Sequence, residues 1–311
     1  MKTLSNAYTL LLASGILVGD SLGDHYGRKR IYMLGILLFA GASLLCGLAP
    51  SGNSLIAARA AQGVGGALMV PGSLALISAS FAPDRRGGAI GLWSTFATLT
   101  TVAGPILGGF LAAQGLWRGV FFINLPLAAA SLATLYWGVP ASRDDSLTGR
   151  LDFAGAALAA VGLAGLSFSL TEATNLGWSN PLILATFLGG LAALAMLVVE
   201  ERTREPMLPF QLFKSRTFTG TNLMTVFLYG ALYAYSLFFS LNLIQARGYS
   251  AGQAGLASLP FALLLAALSR LAGGWVDRVG LRPLLTIGPV LVGAGFIVMS
   301  VPGVTAGPGS Y

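Results

Sequence analysis

Charged residues are so sparse in this chain that their positions mark out its architecture. Uncharged, strongly apolar runs extend from Lys2 to Asp20, Arg30 to Arg59, Arg59 to Asp84, Arg86 to Arg118 and Arg118 to Arg143. Others extend from Asp152 to Glu172, Glu172 to Glu200, Arg216 to Arg247, Arg247 to Arg270, and from Arg282 to the end. Each is near or above the roughly 17–25 residues that a helix needs to cross a hydrocarbon core. The pattern predicts an all-α membrane protein with about ten transmembrane helices. Composition agrees: 9% of the residues are charged and 55% are hydrophobic, whereas soluble domains carry roughly 25% charge. The first run leads straight into a charged turn without a small-residue cleavage site, so it reads as a spanning helix and not as a leader.

The net charge of +7 has the look of a nucleic-acid binder, but the basic residues are scattered through short loops and form no face or arm. They are distributed instead by side. Alternate loops hold Arg28, Lys29, Arg30; Arg85, Arg86; Arg143, Arg150; Arg202, Arg204, Lys214, Arg216; and Arg270, Arg278, Arg282. The opposite set holds only Lys2, Arg118 and Arg247. The positive-inside rule makes the first set cytoplasmic and places both ends of the chain outside. His25 lies in a loop and Cys46 is isolated in an apolar run, so neither a disulfide framework nor an intramembrane catalytic cluster is expected.

Two charged turns resemble each other. Gly19-Asp20-Ser21-Leu22-Gly23-Asp24-His25-Tyr26-Gly27-Arg28-Lys29-Arg30 joins the first two runs. Gly273-Gly274-Trp275-Val276-Asp277-Arg278-Val279-Gly280-Leu281-Arg282 joins the last two. Asp24 aligns with Asp277 and Gly27 with Gly280, which predicts two related halves. The first helix is expected over about 6–22 and the second over about 31–49. Gly15 and Gly19 suit close helix packing. Asn53 or Ser54 suits the cap of the third helix. Pro283 suits the first position of the last helix.

Inside the third run stands Arg59-Ala60-Ala61-Gln62-Gly63. Arg59 and Gln62 share a helix face at i,i+3. An arginine at membrane depth either snorkels to the surface or faces a cavity or partner. The fourth run holds Ala103-Gly104-Pro105-Ile106-Leu107-Gly108-Gly109. A proline that removes a backbone donor beside a small-xxx-small face suits a kinked hinge or seal. Trp93, Phe96, Tyr229, Tyr233, Tyr235 and Phe238 are candidates for lining a lipophilic cavity, although packing and interfacial anchoring are the commoner uses of such aromatics. Polar linkers at 140–150 and 200–216 divide the chain into an N-terminal bundle (1–140), a two-helix insert (141–216) and a C-terminal bundle (217–311).

At these residues the chain resembles the major facilitator superfamily. Leu22 to Arg30 is similar to the family's loop motif, Arg59 to Gly63 to its fourth-helix motif, and Gly104 to Gly109 to the motif of its antiporters. Phe121-Phe122-Ile123-Asn124-Leu125-Pro126 and Arg204-Glu205-Pro206-Met207-Leu208-Pro209 resemble its fourteen-helix drug:proton antiporter branch, as do the two inserted helices. Asp20, His25 and Leu281 depart from the loop pattern, and Trp117-Arg118-Gly119 lacks a second tryptophan. Aligned with the family, the chain starts at the second helix and stops before the twelfth, which reads as a fragment or truncated product.

The resemblance implies a bacterial inner-membrane exporter of lipophilic, often cationic, drugs or metabolites. It would work by alternating access, be driven by the proton gradient without a cofactor, and have no enzymatic activity. Its partners would be the lipid bilayer, a small-molecule substrate and protons, with no nucleic acid. Asp24, Gly27, Arg28 and Lys29, with Asp277 and Gly280 in the second copy, would form a conformational latch. Arg59 and Gln62 would serve proton coupling, with the acidic partner on a helix ahead of the first run. Gly104, Pro105, Gly108 and Gly109 would seal against leak. The alternatives are a non-transporting fragment or regulatory paralogue, and a uniporter or symporter for a small nutrient.

Overall fold

A computed structural model describes residues 2–139, 152–200, 210–249, 251–257 and 259–300. Among these residues there is no strand, and every uncharged run holds a helix. Among the described residues, seven helical segments are long and apolar enough to cross a membrane. Leu34, Leu37, Leu45 and Leu48 on one helix face are exposed, the inverse of a soluble helix and what lipid contact requires. Trp117, Trp137 and Trp178 lie at helix ends, where interfacial aromatics belong. The chain is a multi-pass membrane protein. The Arg204–Pro209 segment and the 140–150 linker fall outside the described residues.

The helices group into two compact units, 1–80 with 107–218 and 81–106 with 219–311. Polar linkers divide the chain differently, because linkers follow connectivity and these units follow packing. In the first unit, α1 (Lys2–Tyr26) and α2 (Arg28–Leu48) both pack on α3 (Gly52–Ser80). Short α5 (Gly119–Phe122) and α6 (Asn124–Gly138) lie against α2, while α7 (Phe153–Leu176) contacts α1 and α8 (Pro181–Glu200).

Glycine makes these approaches possible. On α3, a methyl group at Gly63 would stand 2.5 Å from the Tyr8 carbonyl oxygen, and one at Gly65 would stand 2.6 Å from the Phe39 amide nitrogen. The two glycines face different neighbours, so α3 can sit tightly between α1 and α2. Gly15 and Gly19 on α1 abut Ala67, as close packing predicts. Beside these contacts, Ile36, Leu76, Ala128 and Leu135 form an apolar cluster among α2, α3 and α6.

Local chemistry sets the ends. Ser51 caps α3: its Oγ accepts from Ser54 N at 3.2 Å, and Ser54 Oγ accepts from Ser51 N at 3.1 Å. This corrects the expected cap at Asn53 or Ser54. The cap must stand three residues before the amide it satisfies, and Ser54 is that third residue in a reciprocal capping pair. The first helix runs on to Tyr26, beyond the expected 22, since nothing before Gly27 leaves helical geometry. The last helix, α12 (Leu281–Ser300), begins ahead of Pro283, so the proline lies inside the first turn.

The second unit contains the first part of α4 (Pro83–Ala113), α9 (Arg216–Leu241) ending in a π turn, α10 (Ala251–Ala257), α11 (Leu259–Val279) and α12. Thr95 Oγ1 of α4 donates to the Ala266 carbonyl of α11 at 3.1 Å. Tyr235 stacks on Phe239 and also meets Phe296, while Phe96, Tyr229, Tyr233 and Phe238 are exposed.

The α1–α3–α2 packing generates a contrast. Gly65→Ala is expected to destabilise the protein by about 1–3 kcal/mol through overpacking. Gly41→Ala, where a methyl meets nothing within 4 Å, should be neutral or stabilising by up to about 1 kcal/mol. Thermal unfolding of the purified variants in detergent would show the difference.

Candidate coupling site and hinge turns

The deepest polar group lies on α3. Arg59 Nη1 donates to Gln62 Oε1 at 2.6 Å, one turn along the same helix. The guanidinium carbon also stands 4.2 Å from the centre of the Tyr8 ring on α1, a cation–π arrangement. Gln62 is 1% exposed. Its Nε2 donates to Ser43 Oγ of α2 at 2.6 Å, and Asn124 Nδ2 of α6 donates to the same oxygen at 3.1 Å. Cys46 Sγ lies 4.0 Å from Gln62 Oε1. The pairing of Arg59 with Gln62 follows the i,i+3 spacing. Ser43, Asn124 and Tyr8 had no such signal, because each lies on a different helix and no sequence spacing relates it to Arg59.

Arg59 is half-buried and does not simply snorkel away from its neighbours. Among the described residues its partners are an amide oxygen and an aromatic face; no carboxylate meets it. A guanidinium offers five N–H donors, so donors remain for a further acceptor.

The charged turn between α1 and α2 reduces to a single residue. Gly27 has φ of 101°, a region that a side chain disfavours. Its N–H bonds to the Gly23 carbonyl at 3.0 Å, and its own carbonyl accepts from Ile31 N at 3.1 Å. One glycine therefore ends α1 and starts α2. Between α11 and α12, Gly280 has φ of 80° and its N–H bonds to the Val276 carbonyl at 3.0 Å. Val276 occupies the place of Gly23, so the sequence repeat is also a repeat of backbone geometry. The Asp277 side chain is outside the described ones.

Across the first turn, Arg28 Nε bonds to Asp24 Oδ1 at 2.7 Å, with the side chains 27% and 30% exposed. A pair so exposed contributes about 1 kcal/mol or less. Lys29 Nζ donates to the Tyr136 and Val139 carbonyls at 3.2 and 2.5 Å. These are carbonyls at the C-terminal end of α6, where a cation is favoured. At the other end of α2, Arg118 Nη2 donates to the Ala49 carbonyl at 3.0 Å.

On α4, methyl groups at Gly104, Gly108 or Gly109 would meet nothing within 4 Å. The helix is continuous through Pro105, whose side chain is outside the described ones. A separate cavity of about 260 Å³ opens between α1 and α7, lined in part by Thr9, Ser167, Thr171 and Glu172. Arg59 is not among its lining residues. No group of His, Cys, Asp and Glu that could hold a metal ion occurs among the described residues.

The family model of the Major Facilitator Superfamily matches residues 1–311. The chain belongs to the major facilitator superfamily. It is 35% identical over 296 residues to the "Methylenomycin A resistance protein" of Streptomyces coelicolor, covering 94% of the chain and 62% of that protein. It is 33% identical over 295 residues to the "Multidrug resistance protein Stp" of Mycobacterium tuberculosis, covering 94% of the chain and 55% of the relative. It is 34% identical over 302 residues to the "Cephamycin export protein CmcT" of Amycolatopsis lactamdurans, covering 95% and 62%. The chain thus spans less than two thirds of the length of these curated relatives.

Lys29→Met should loosen the end of α6 while leaving the rest of the unit intact. The expected cost is about 0.3–1 kcal/mol, read as faster amide hydrogen exchange in the last turn of α6 and unchanged exchange in α3.

Proposed function

We propose that the chain acts as a secondary active transporter that exports lipophilic, often cationic, compounds in exchange for protons. Arg59 carries the reading. It is a fixed cation in a membrane-spanning helix, held by Gln62 and Tyr8. A fixed cation favours the ionised form of any carboxylate brought to it. A cationic substrate does the same. A carboxylate facing this site would release its proton as substrate binds and regain one as substrate leaves, so the two fluxes become linked. For an uncharged substrate, one proton crossing 100 mV contributes ~2.3 kcal/mol, about a fifty-fold gradient; exchange of one proton for a monovalent cation moves no net charge and is driven by the pH gradient. The names of the relatives, two resistance proteins and an export protein, support efflux.

The Gly27 turn, with Asp24, Arg28 and Lys29, would act as a conformational latch, and Asp277 and Gly280 would be its counterpart. Single-glycine joints let two helices change their mutual angle at little steric cost. The side-chain-free face of Gly104, Gly108 and Gly109 beside Pro105 would let a neighbouring helix close against α4 and seal the path.

The test is reconstitution into vesicles loaded with acid, with accumulation of a fluorescent lipophilic cation as the signal. Accumulation that collapses with a protonophore is expected, and Arg59→Ala should reduce it by about tenfold or more, the scale of a lost charge-assisted contact. A folded, monodisperse protein that drives no accumulation would overturn the reading in favour of a non-transporting role. Substrate movement in the same direction as protons would identify a symporter. Gly104→Leu and Gly108→Leu should leak protons without substrate; tight coupling in both would remove α4 as the seal.

A further inference from the structure

The transport reading leaves unused the Phe121–Pro126 segment, whose Asn124 opens α6. We propose that Ser43 and Asn124 are positioning residues for the Arg59 guanidinium, acting through Gln62. Arginine is a donor only, so the Gln62 atom that it meets at 2.6 Å must be the carbonyl oxygen. That fixes the orientation of the amide and turns Nε2 toward α2, where it needs an acceptor. Ser43 Oγ supplies one at 2.6 Å. A serine oxygen has two acceptor positions, and Asn124 Nδ2 takes the second at 3.1 Å.

Three helices therefore meet at one oxygen, and Ser43 is 0% exposed. Solvent does not reach this point to replace a lost partner. Rotating the Gln62 amide would turn its two N–H donors toward the donor-only Arg59 and leave the guanidinium without its acceptor. The direction of the guanidinium is thus set by a buried uncharged frame. The groups that face it or Gln62 from neighbouring helices are Tyr8 of α1, Ser43 and Cys46 of α2, and, through Ser43, Asn124 of α6. Tyr8 and Cys46 are the titratable ones. The consequence for coupling rests on the proposed role of Arg59; the positioning itself does not.

The test uses Ser43→Ala, Asn124→Ala and Ser43→Thr, the last keeping an oxygen at the same branch. The detergent-solubilised chain, labelled with ¹⁵N-arginine, reports the Arg59 guanidinium, assigned by its loss in Arg59→Lys. Restricted rotation, seen as separate Nη signals, is expected in the wild type and in Ser43→Thr. Averaged signals are expected in Ser43→Ala and Asn124→Ala. In acid-loaded vesicles the two alanine variants should lose about tenfold in proton-driven accumulation, the scale of one hydrogen bond. Their pH profile should shift while the KM for the cation stays unchanged, and Ser43→Thr should restore both. Unchanged guanidinium signals in folded Ser43→Ala and Asn124→Ala would overturn the proposal, whatever the transport result. Averaged signals in a chain whose wild type does not transport would support the positioning and overturn only the coupling reading.

Discussion

Lipid offers no hydrogen bonds, so each polar group inside the membrane must be met by protein. The first unit is arranged around that constraint. Arg59 bonds to Gln62 on its own helix α3 and lies over the Tyr8 ring of α1, Gln62 donates to Ser43 of α2, and Asn124 of α6 donates to the same serine oxygen. Reaching those partners demands close approach of backbones, which Gly63 and Gly65 allow on two sides of α3. Polar satisfaction and glycine packing are consequently one problem solved within two turns of α3, between Arg59 and Gly65. A bulky side chain at Gly65 would move α2, on which Gln62 depends, and one at Gly63 would move α1, which carries Tyr8.

The edges of the membrane follow a different rule. Here the cations are placed against helix ends. Lys29 meets the last carbonyls of α6, and Arg118 meets the Ala49 carbonyl after α2. Helix C-termini leave carbonyls unpaired and carry partial negative charge, so these basic residues fasten helices to each other. The turn at Gly27 lies between these two uses of charge. Its partner at Gly280 has the same positive φ and the same hydrogen bond to the residue four positions earlier. The repeat in sequence is thus matched by a repeat in backbone geometry.

Much of this was legible along the chain. Uncharged runs located the helices, because a spanning segment cannot carry unpaired charge and its length is set by the bilayer. The repeat of Asp24-x-x-Gly27 as Asp277-x-x-Gly280 foretold the repeated joint, and the Arg59–Gln62 contact followed from helical spacing. Helix ends were less legible. The first helix runs to Tyr26, since a charged stretch at the membrane edge has no need to leave helical geometry. The α3 cap fell on Ser51, since reciprocal serine capping is chosen by the pair and not by either residue. The units defined by packing do not follow the polar linkers: α7 and α8 belong with α1–α3, and the start of α4 with α9–α12.

By itself, then, the sequence determined the class of the protein, its family and the local pairings that lie within one helix turn. Hydropathy and i,i+3 or i,i+4 spacing are properties of neighbouring residues and need no knowledge of the fold. Only the tertiary structure decided that Ser43 and Asn124 complete the frame of Arg59. A lone serine in one apolar run and a lone asparagine in another carry no sign of each other. Their meeting depends on the register of three helices: glycines let the backbones of α2 and α3 touch, and the cluster of Ile36, Leu76, Ala128 and Leu135 seats α6.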